Sequence, residues 1–156
     1  MSQVSVVRSV EPEVIEQVIP KILLITNKSC SYPGVDNAGQ QHLEYSANTY
    51  VMDTLCPVLF PDQFYIDTLA KGIDGIIIMS CGEECKYHGA FEKLSLRINR
   101  VMKKIKDEYG LEPQRIKLTA ICTICAKHVI KEIKNMNEFL KDKPKALEYF
   151  RNKQGV

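Results

Sequence analysis

No apolar stretch in this chain approaches the roughly 18 residues that a membrane-spanning helix needs, so a helical membrane protein is not expected. Met1–Pro20 carries Arg8, Glu11, Glu13 and Glu16 where a secretory leader would need an apolar core, and the expected location is the cytoplasm. Charge is nearly balanced, 21 Lys and Arg against 19 Asp and Glu, which gives no case for nucleic-acid binding. There are only 3 histidines, too scattered for a His-based site. Neither Gly-x-Gly-x-x-Gly nor a Walker A loop occurs, so nothing in the motifs implies a nucleotide or a flavin.

What is present is sulfur: the 156 residues include 6 cysteines. Without an export signal they do not read as a disulfide framework, because a reducing compartment keeps thiols free; metal or redox chemistry is the question they raise. With 45% apolar and 26% charged residues, the composition is that of an ordinary globular protein of one domain plus tails.

Buried-strand runs recur along the chain: Lys21–Thr26, Thr49–Leu55, Gly75–Met79 and Arg115–Ile121. Helical patterns alternate with them. Val35–Tyr45 is a helix of moderate quality, and Asp62–Lys71 is amphipathic with Gly72 as its C-terminal stop. Ala90–Tyr109 steps by three and four through Phe91, Leu94, Ile98, Val101 and Ile105 to Gly110, and Ala126–Leu140 does the same through Val129, Ile130 and Ile133. Strand and helix in strict alternation predict an α/β fold, an open parallel sheet of about four strands with helices on both faces. Residues 1–20 form an N-terminal arm, with Val4–Val7 as a short strand and Glu13–Val18 as a helical turn. Residues 21–143 form the α/β domain, and residues 144–156 a polar tail with a short helix around Ala146–Phe150.

In parallel order all strands point the same way, so their carboxyl ends share one edge of the sheet, where ligands of open α/β folds bind. Cys30 follows the first strand, Cys56 the second, Cys81 and Cys85 the third, and Cys122 and Cys125 the fourth. Scattered cysteines would pass as small buried hydrophobes; six at strand ends point to a site. Thiolates are soft ligands, and four of them suit zinc or an iron–sulfur cluster. Singletons such as Cys30 and Cys56 arriving from different strands fit a cluster better than a zinc staple. Cys122-Thr123-Ile124-Cys125 has the spacing of a redox dithiol at a helix start, or is a pair packed beside the site. His88 reads as a hydrogen-bonding loop residue, Glu83 and Glu84 as solvated carboxylates, and Lys93, Arg97, Arg100 and Lys104 as a solvated basic stripe beside the apolar face of the long helix.

Over Lys21–Pro144 the sequence resembles the delta (iron–sulfur) subunit family of methyl-viologen-reducing hydrogenase, associated with heterodisulfide reductase systems. The matching pieces are Cys30-Ser31-Tyr32-Pro33-Gly34-Val35-Asp36 with Ala38-Gly39, Cys56, Asp74-Gly75, Ser80-Cys81-Gly82-Glu83-Glu84-Cys85-Lys86-Tyr87, and Tyr109-Gly110-Leu111-Glu112-Pro113-Gln114-Arg115-Ile116. The resemblance implies a flavodoxin-like fold and a 2Fe-2S cluster held by Cys30, Cys56, Cys81 and Cys85, with Cys122 and Cys125 as additional candidates and 4Fe-4S or zinc as alternatives. It further implies a non-catalytic electron-transfer subunit that relays electrons between a hydrogenase or formate dehydrogenase and the flavoprotein subunit of a heterodisulfide reductase. Two positions depart from the family: Asn27 stands where a further cysteine is common, and Pro57-Val58-Leu59 replaces Ser-Gly-Arg. The rival reading is a metal-free thiol–disulfide protein cycling Cys122/Cys125 or Cys81/Cys85.

Overall fold

A computed structural model describes residues 19–121 and 124–154. The expected strand at Val4–Val7 and helical turn at Glu13–Val18 lie outside the described residues. In chain order the elements are β1 (Ile22–Asn27), α1 (Tyr32–Gln40), β2 (Thr49–Thr54), α2 (Asp62–Ala70), β3 (Gly75–Ser80), α3 (Ala90–Tyr109), β4 (Ile116–Ala120), α4 (Ala126–Leu140) and α5 (Ala146–Gln154). The sheet is parallel throughout, in the order β2-β1-β3-β4, and its register places Ile22 beside both Thr49 and Gly75, and Ile76 beside Ile116. This is the doubly wound α/β architecture the alternating pattern predicts.

The strand sequences explain the order. β3 buries all six of its residues and β1 all but one, as central strands covered on both faces must. β2 and β4 alternate with exposed or half-buried positions, as edges do. Side chains point alternately to the two faces, so Ile76 and Ile78 pack with α2, α3 and α5, whereas Ile77 and Met79 pack with α1 and α4. α3 and α4 match their expected bounds, since periodic apolar positions with a positive-φ Gly110 closing the first leave little freedom. Among the described residues no helix is long and apolar enough to cross a membrane.

α1 departs from expectation, starting at Tyr32 instead of Val35 and ending at Gln40 instead of Tyr45. Pro33 and Gly34 look like a turn, but Pro in the first helical turn gives up an N–H that has no helical partner there anyway. The helix stops because His42 adopts φ 53, the left-handed region. At the other end of the chain the tail carries a longer helix than its sparse apolar pattern suggests: Ala146 and Phe150 are buried in the core, and Phe150 stacks obliquely on Tyr109 at 4.5 Å.

A buried polar keystone fastens α5 beneath the amino edge of the sheet. The carboxylate of Asp74 accepts the N–H of Lys21 and the N–H of Ala146, each at 3.0 Å. Arg115 is fully buried and donates to the Glu112 carboxylate at 2.7 Å, to the carbonyl of Asp74 at 3.0 Å and to the carbonyl of Pro144 at 2.7 Å. The Asp74-Gly75 and Glu112–Arg115 pieces that carry the family resemblance are therefore structural. They sit about 20 Å from the carboxyl edge, the length of a six-residue strand.

Burial alone would raise the Glu112 carboxyl, but the hydrogen bond and charge of Arg115, with help from Lys143, hold it below the usual carboxylate range. A depressed folded-state pKa stabilises the fold above the ordinary carboxylate pKa, and that stabilisation is lost as pH falls through the folded value. Unfolding midpoints measured from about pH 6 down to about pH 3 should therefore fall less steeply in Glu112→Gln than in the parent. Parallel acid limbs would contradict this.

Candidate functional site

The loops after the four strands meet at the carboxyl edge, and short polar contacts set their paths. Asn27, the last residue of β1, is 2% exposed. Its side-chain carbonyl accepts the N–H of Ser29 at 2.9 Å, an Asx turn, and its side-chain N–H donates to the carbonyl of Leu55 at 2.8 Å. Its backbone carbonyl accepts from Cys30 at 3.2 Å and Ser31 at 3.1 Å. The Ser31 hydroxyl accepts the N–H of Asn27 at 2.7 Å and donates to the carbonyl of Met79 at 2.8 Å, tying this loop to the end of β3. Asn27, which the family resemblance sets where a further cysteine is common, here organises the loop that carries Cys30. An Asn-x-Ser signal after an apolar strand is the local cue that identifies it.

β1 and β3 are hydrogen-bonded neighbours, so thiols at their ends fall side by side. Cys30 and Cys81 are in fact paired sulfur to sulfur, with Cα atoms 5.8 Å apart. A single 3-10 turn, Gly82–Glu84, then leads to Cys85, whose N–H donates to the carbonyl of Gly82 at 3.3 Å and whose thiol is free and partly exposed. Gly82 holds φ +69, and a Cβ there would stand 2.8 Å from the Cβ of Ala120, so only glycine lets this loop lie against β4. Cys125 lies at the head of α4 and is not a free thiol. Cys122 lies outside the described residues.

Cys30, Cys81, Cys85 and Cys125 line one open cleft of about 720 Å³, together with Asn27 and Tyr87. Cys56 does not line it. That residue is 8% exposed at the end of the edge strand β2, and the chain beyond it is drawn onto the α2/α3 face. Arg97 of α3 donates to the carbonyls of Val58 and Phe60, and the Tyr65 hydroxyl of α2 donates to the carbonyl of Pro57 at 3.3 Å. Burial pushes the Tyr65 phenol up to about 12, with Asp62 and Cys56 adding to the rise and Arg97 opposing it. Among the described residues no group of three or more His, Cys, Asp or Glu is arranged to hold a metal ion.

Two expectations are corrected. Cys81 is not bridged to Cys85: the intervening 3-10 turn carries Cys85 away while the sheet brings Cys30 alongside. The basic stripe on α3 is not wholly solvated, because Arg97 and Arg100 both pair with Asp62 at 3.2 Å and Arg97 also clamps the loop after Cys56. Glu83 and Glu84 are exposed, in keeping with their reading as solvated carboxylates, and His88 is exposed as well.

Comparison with known proteins bears on the same residues. Residues 22–142 match the family model described as methyl-viologen-reducing hydrogenase, delta subunit. The iron–sulfur subunit of the F420-non-reducing hydrogenase of Archaeoglobus profundus is 30% identical over 100 residues, which cover 64% of this chain and 72% of that protein. One subunit of the Ferredoxin:CoB-CoM heterodisulfide reductase of Methanosarcina mazei is 33% identical over 90 residues, 56% of this chain. Its counterpart in the Ferredoxin/F(420)H(2)-dependent CoB-CoM heterodisulfide reductase of Methanosarcina acetivorans is 29% identical over 125 residues, 79% of this chain. Against those two longer proteins the match spans only 11% and 15% of their length. With the family model covering nearly the whole α/β domain, the chain belongs to the methyl-viologen-reducing hydrogenase delta subunit family.

Proposed function

We propose that this chain is an electron-transfer subunit that holds an iron–sulfur cluster, of the 2Fe-2S type, in the cleft at the carboxyl edge and turns over no substrate of its own. The observation that carries this is the convergence of four cysteines from three strand ends on one cleft in a chain of this family. The donor types fit: thiolates are soft ligands, no imidazole is among the cleft residues, and Ala120 and Ile121 add apolar side chains to its lining. Cys30, Cys81 and Cys85 supply three thiolates. The fourth comes from Cys56, which the family pattern favours, or Cys125, which the cleft favours; single serine variants of the two discriminate them. When bound, such a cluster supplies reversible one-electron transfer at a potential set by its surroundings.

The chain's own residues do the rest. Asn27 and Ser31 fix the Cys30 loop, and Gly82 lets the Cys81–Cys85 loop lie on β4. Tyr87 lines the cleft, with Lys86 seated over its ring at 5.1 Å. Electrons would pass between a hydrogenase on one side and a heterodisulfide reductase on the other, in line with the names of the relatives; a formate dehydrogenase as donor and a flavoprotein subunit as acceptor are what the family resemblance implies. Anaerobically purified protein should contain iron and acid-labile sulfide in equal amounts and give a paramagnetic signal on reduction. A clean preparation with neither contradicts the reading, and zinc in their place would mark a structural metal module.

One observation favours a second reading: the Cys30–Cys81 pairing suits a metal-free thiol–disulfide protein. Mass mapping of alkylated thiols before and after mild reductant tests it, the candidate reversible bridges being Cys30–Cys81 in place of Cys81–Cys85, and Cys122–Cys125 as first read.

A further inference from the structure

β4 is an edge of the sheet, and a cleft of about 520 Å³ runs along it. Ile116 and Leu118 line the cleft together with Lys117, although successive side chains belong to opposite faces, so the cavity straddles the open side of the strand. Its walls are half-buried apolar groups from both covering layers, Phe91 and Met102 of α3 and Phe139 of α4. The N–H of Ile121 donates to the carbonyl of Ser80 in β3 at 2.9 Å. Backbone groups alternate sides along a strand, so those of Leu118 and Ala120 turn to the open side. Charged side chains commonly blunt such an edge, yet Lys117 is paired with Glu132 of α4.

We infer that this edge is covered by the chain's own N-terminal segment, Val4–Val10, which lies outside the described residues, added as a strand antiparallel to β4. Three observations select this occupant. The first is composition: Val4, Val6, Val7 and Val10 favour a strand, and Val6 and Val7, on opposite sides of it, suit a cleft with apolar walls on both faces. Pro12 then ends the pairing. The second is where the segment joins the fold. Ile19 lines a cleft at the amino edge together with Arg115, the residue before β4. The link Glu11–Val18 reaches about 26 Å when extended, and about 16 Å with Glu13–Val18 wound as a helical turn. From β1 to β4 is two strand spacings, about 10 Å. So short a link also sets the direction, because a parallel return needs a dozen residues or more, whereas parallel sheets commonly carry an antiparallel edge strand. The third is charge. Glu11, Glu13 and Glu16 outnumber Arg8 in the arm; the charge lining the β4 cleft is Lys117, whereas Asp36 and Asp53 line the cleft at the β2 edge. A tethered strand also acts at an effective concentration in the millimolar range, which a strand from a second copy has to match.

The test is hydrogen–deuterium exchange of the full chain, resolved to single amides, in the parent and in the double variant Val6→Pro/Val7→Pro, whose prolines remove the strand N–H groups. The Leu118 and Ala120 amides should exchange at least about tenfold faster in the variant, as amides released from a ladder do. Ile77 and Ile78 in the central strand should stay equally slow in both, which ties the effect to the edge. On β2 the carbonyls of Asn48 and Thr54 accept from Ile22 and Lys28, so Val51 and Asp53 face outward, and their amides should exchange alike in both proteins. Equal rates at Leu118 and Ala120 overturn the pairing. A variant effect at Val51 and Asp53 in their place overturns the choice of edge. Protection that grows with protein concentration, alongside a dimer in sedimentation, overturns the choice of occupant in favour of a second copy. None of these readouts depends on a cluster, so failure here leaves the electron-transfer reading untouched.

Discussion

Cys81→Ser should lose most of its iron and sulfide, at least about tenfold relative to the parent, and with them the signal of the reduced protein. Even outer-shell partners of a metal typically change its affinity about 10- to 100-fold, and a direct thiolate counts for more. Cys81 is also the thiol with the fewest alternatives. It follows the last residue of the most buried strand, touches Cys30 and stands one short turn from Cys85, so no other cysteine can be moved into its place. The same variant separates the two functional readings through stability. In air-oxidised protein a bridge closing a sequence separation of 51 residues should stabilise the fold by about 4 kcal/mol on the loop-entropy account, and Cys81→Ser forfeits that. In fully reduced apo protein the substitution should change the unfolding midpoint little. A variant that keeps full iron and sulfide would remove Cys81 from the site.

Arg115→Met should destabilise the fold by about 3–5 kcal/mol in urea unfolding, the usual cost of removing one partner of a buried charge and stranding the rest. The change leaves the carbonyls of Asp74 and Pro144 without this donor, reduces the partners of the Glu112 carboxylate to Tyr149 and Lys143, and frees α5, whose Ala146 and Phe150 complete one face of the core. Against a domain stability of about 5–15 kcal/mol that is a large fraction. Cluster content per folded molecule should stay at the parental level, because the keystone lies at the opposite edge of the sheet from the cysteines. A midpoint shift worth under about 0.5 kcal/mol, the size of an ordinary surface substitution, would contradict the role given to Arg115.

Much of the architecture is legible in local pattern. Ile76–Met79, short, β-branched and opened by Gly75, reads as a strand covered on both faces, and the three-and-four stepping from Leu94 to Ile105 reads as a helix with one buried stripe. That Cys30, Cys81, Cys85 and Cys125 share one edge follows from chain direction alone, once all strands are parallel. Pairing is another matter. That Cys81 meets Cys30 and not Cys85 depends on β1 and β3 being neighbours, and sheet order is a property of the whole fold. The displacement of Cys56 from the cleft depends on Arg97 reaching carbonyls 37 and 39 residues away, and charge patterning reads such an arginine as solvated. Arg115 and Asp74 look like surface residues in the sequence because, the Glu112 carboxylate apart, their hydrogen-bond partners are backbone groups, which leave no compositional trace.

The central claim is that one inorganic core sits among the thiols at the carboxyl edge. Anomalous diffraction at the iron absorption edge, from crystals of protein purified and grown without oxygen, tests it most directly. The account predicts iron peaks inside the cleft, within bonding distance of the sulfurs of Cys30, Cys81 and Cys85, with the Cys30–Cys81 contact opened. A fully occupied, well-ordered cleft with no iron peak and the two sulfurs still joined would contradict it.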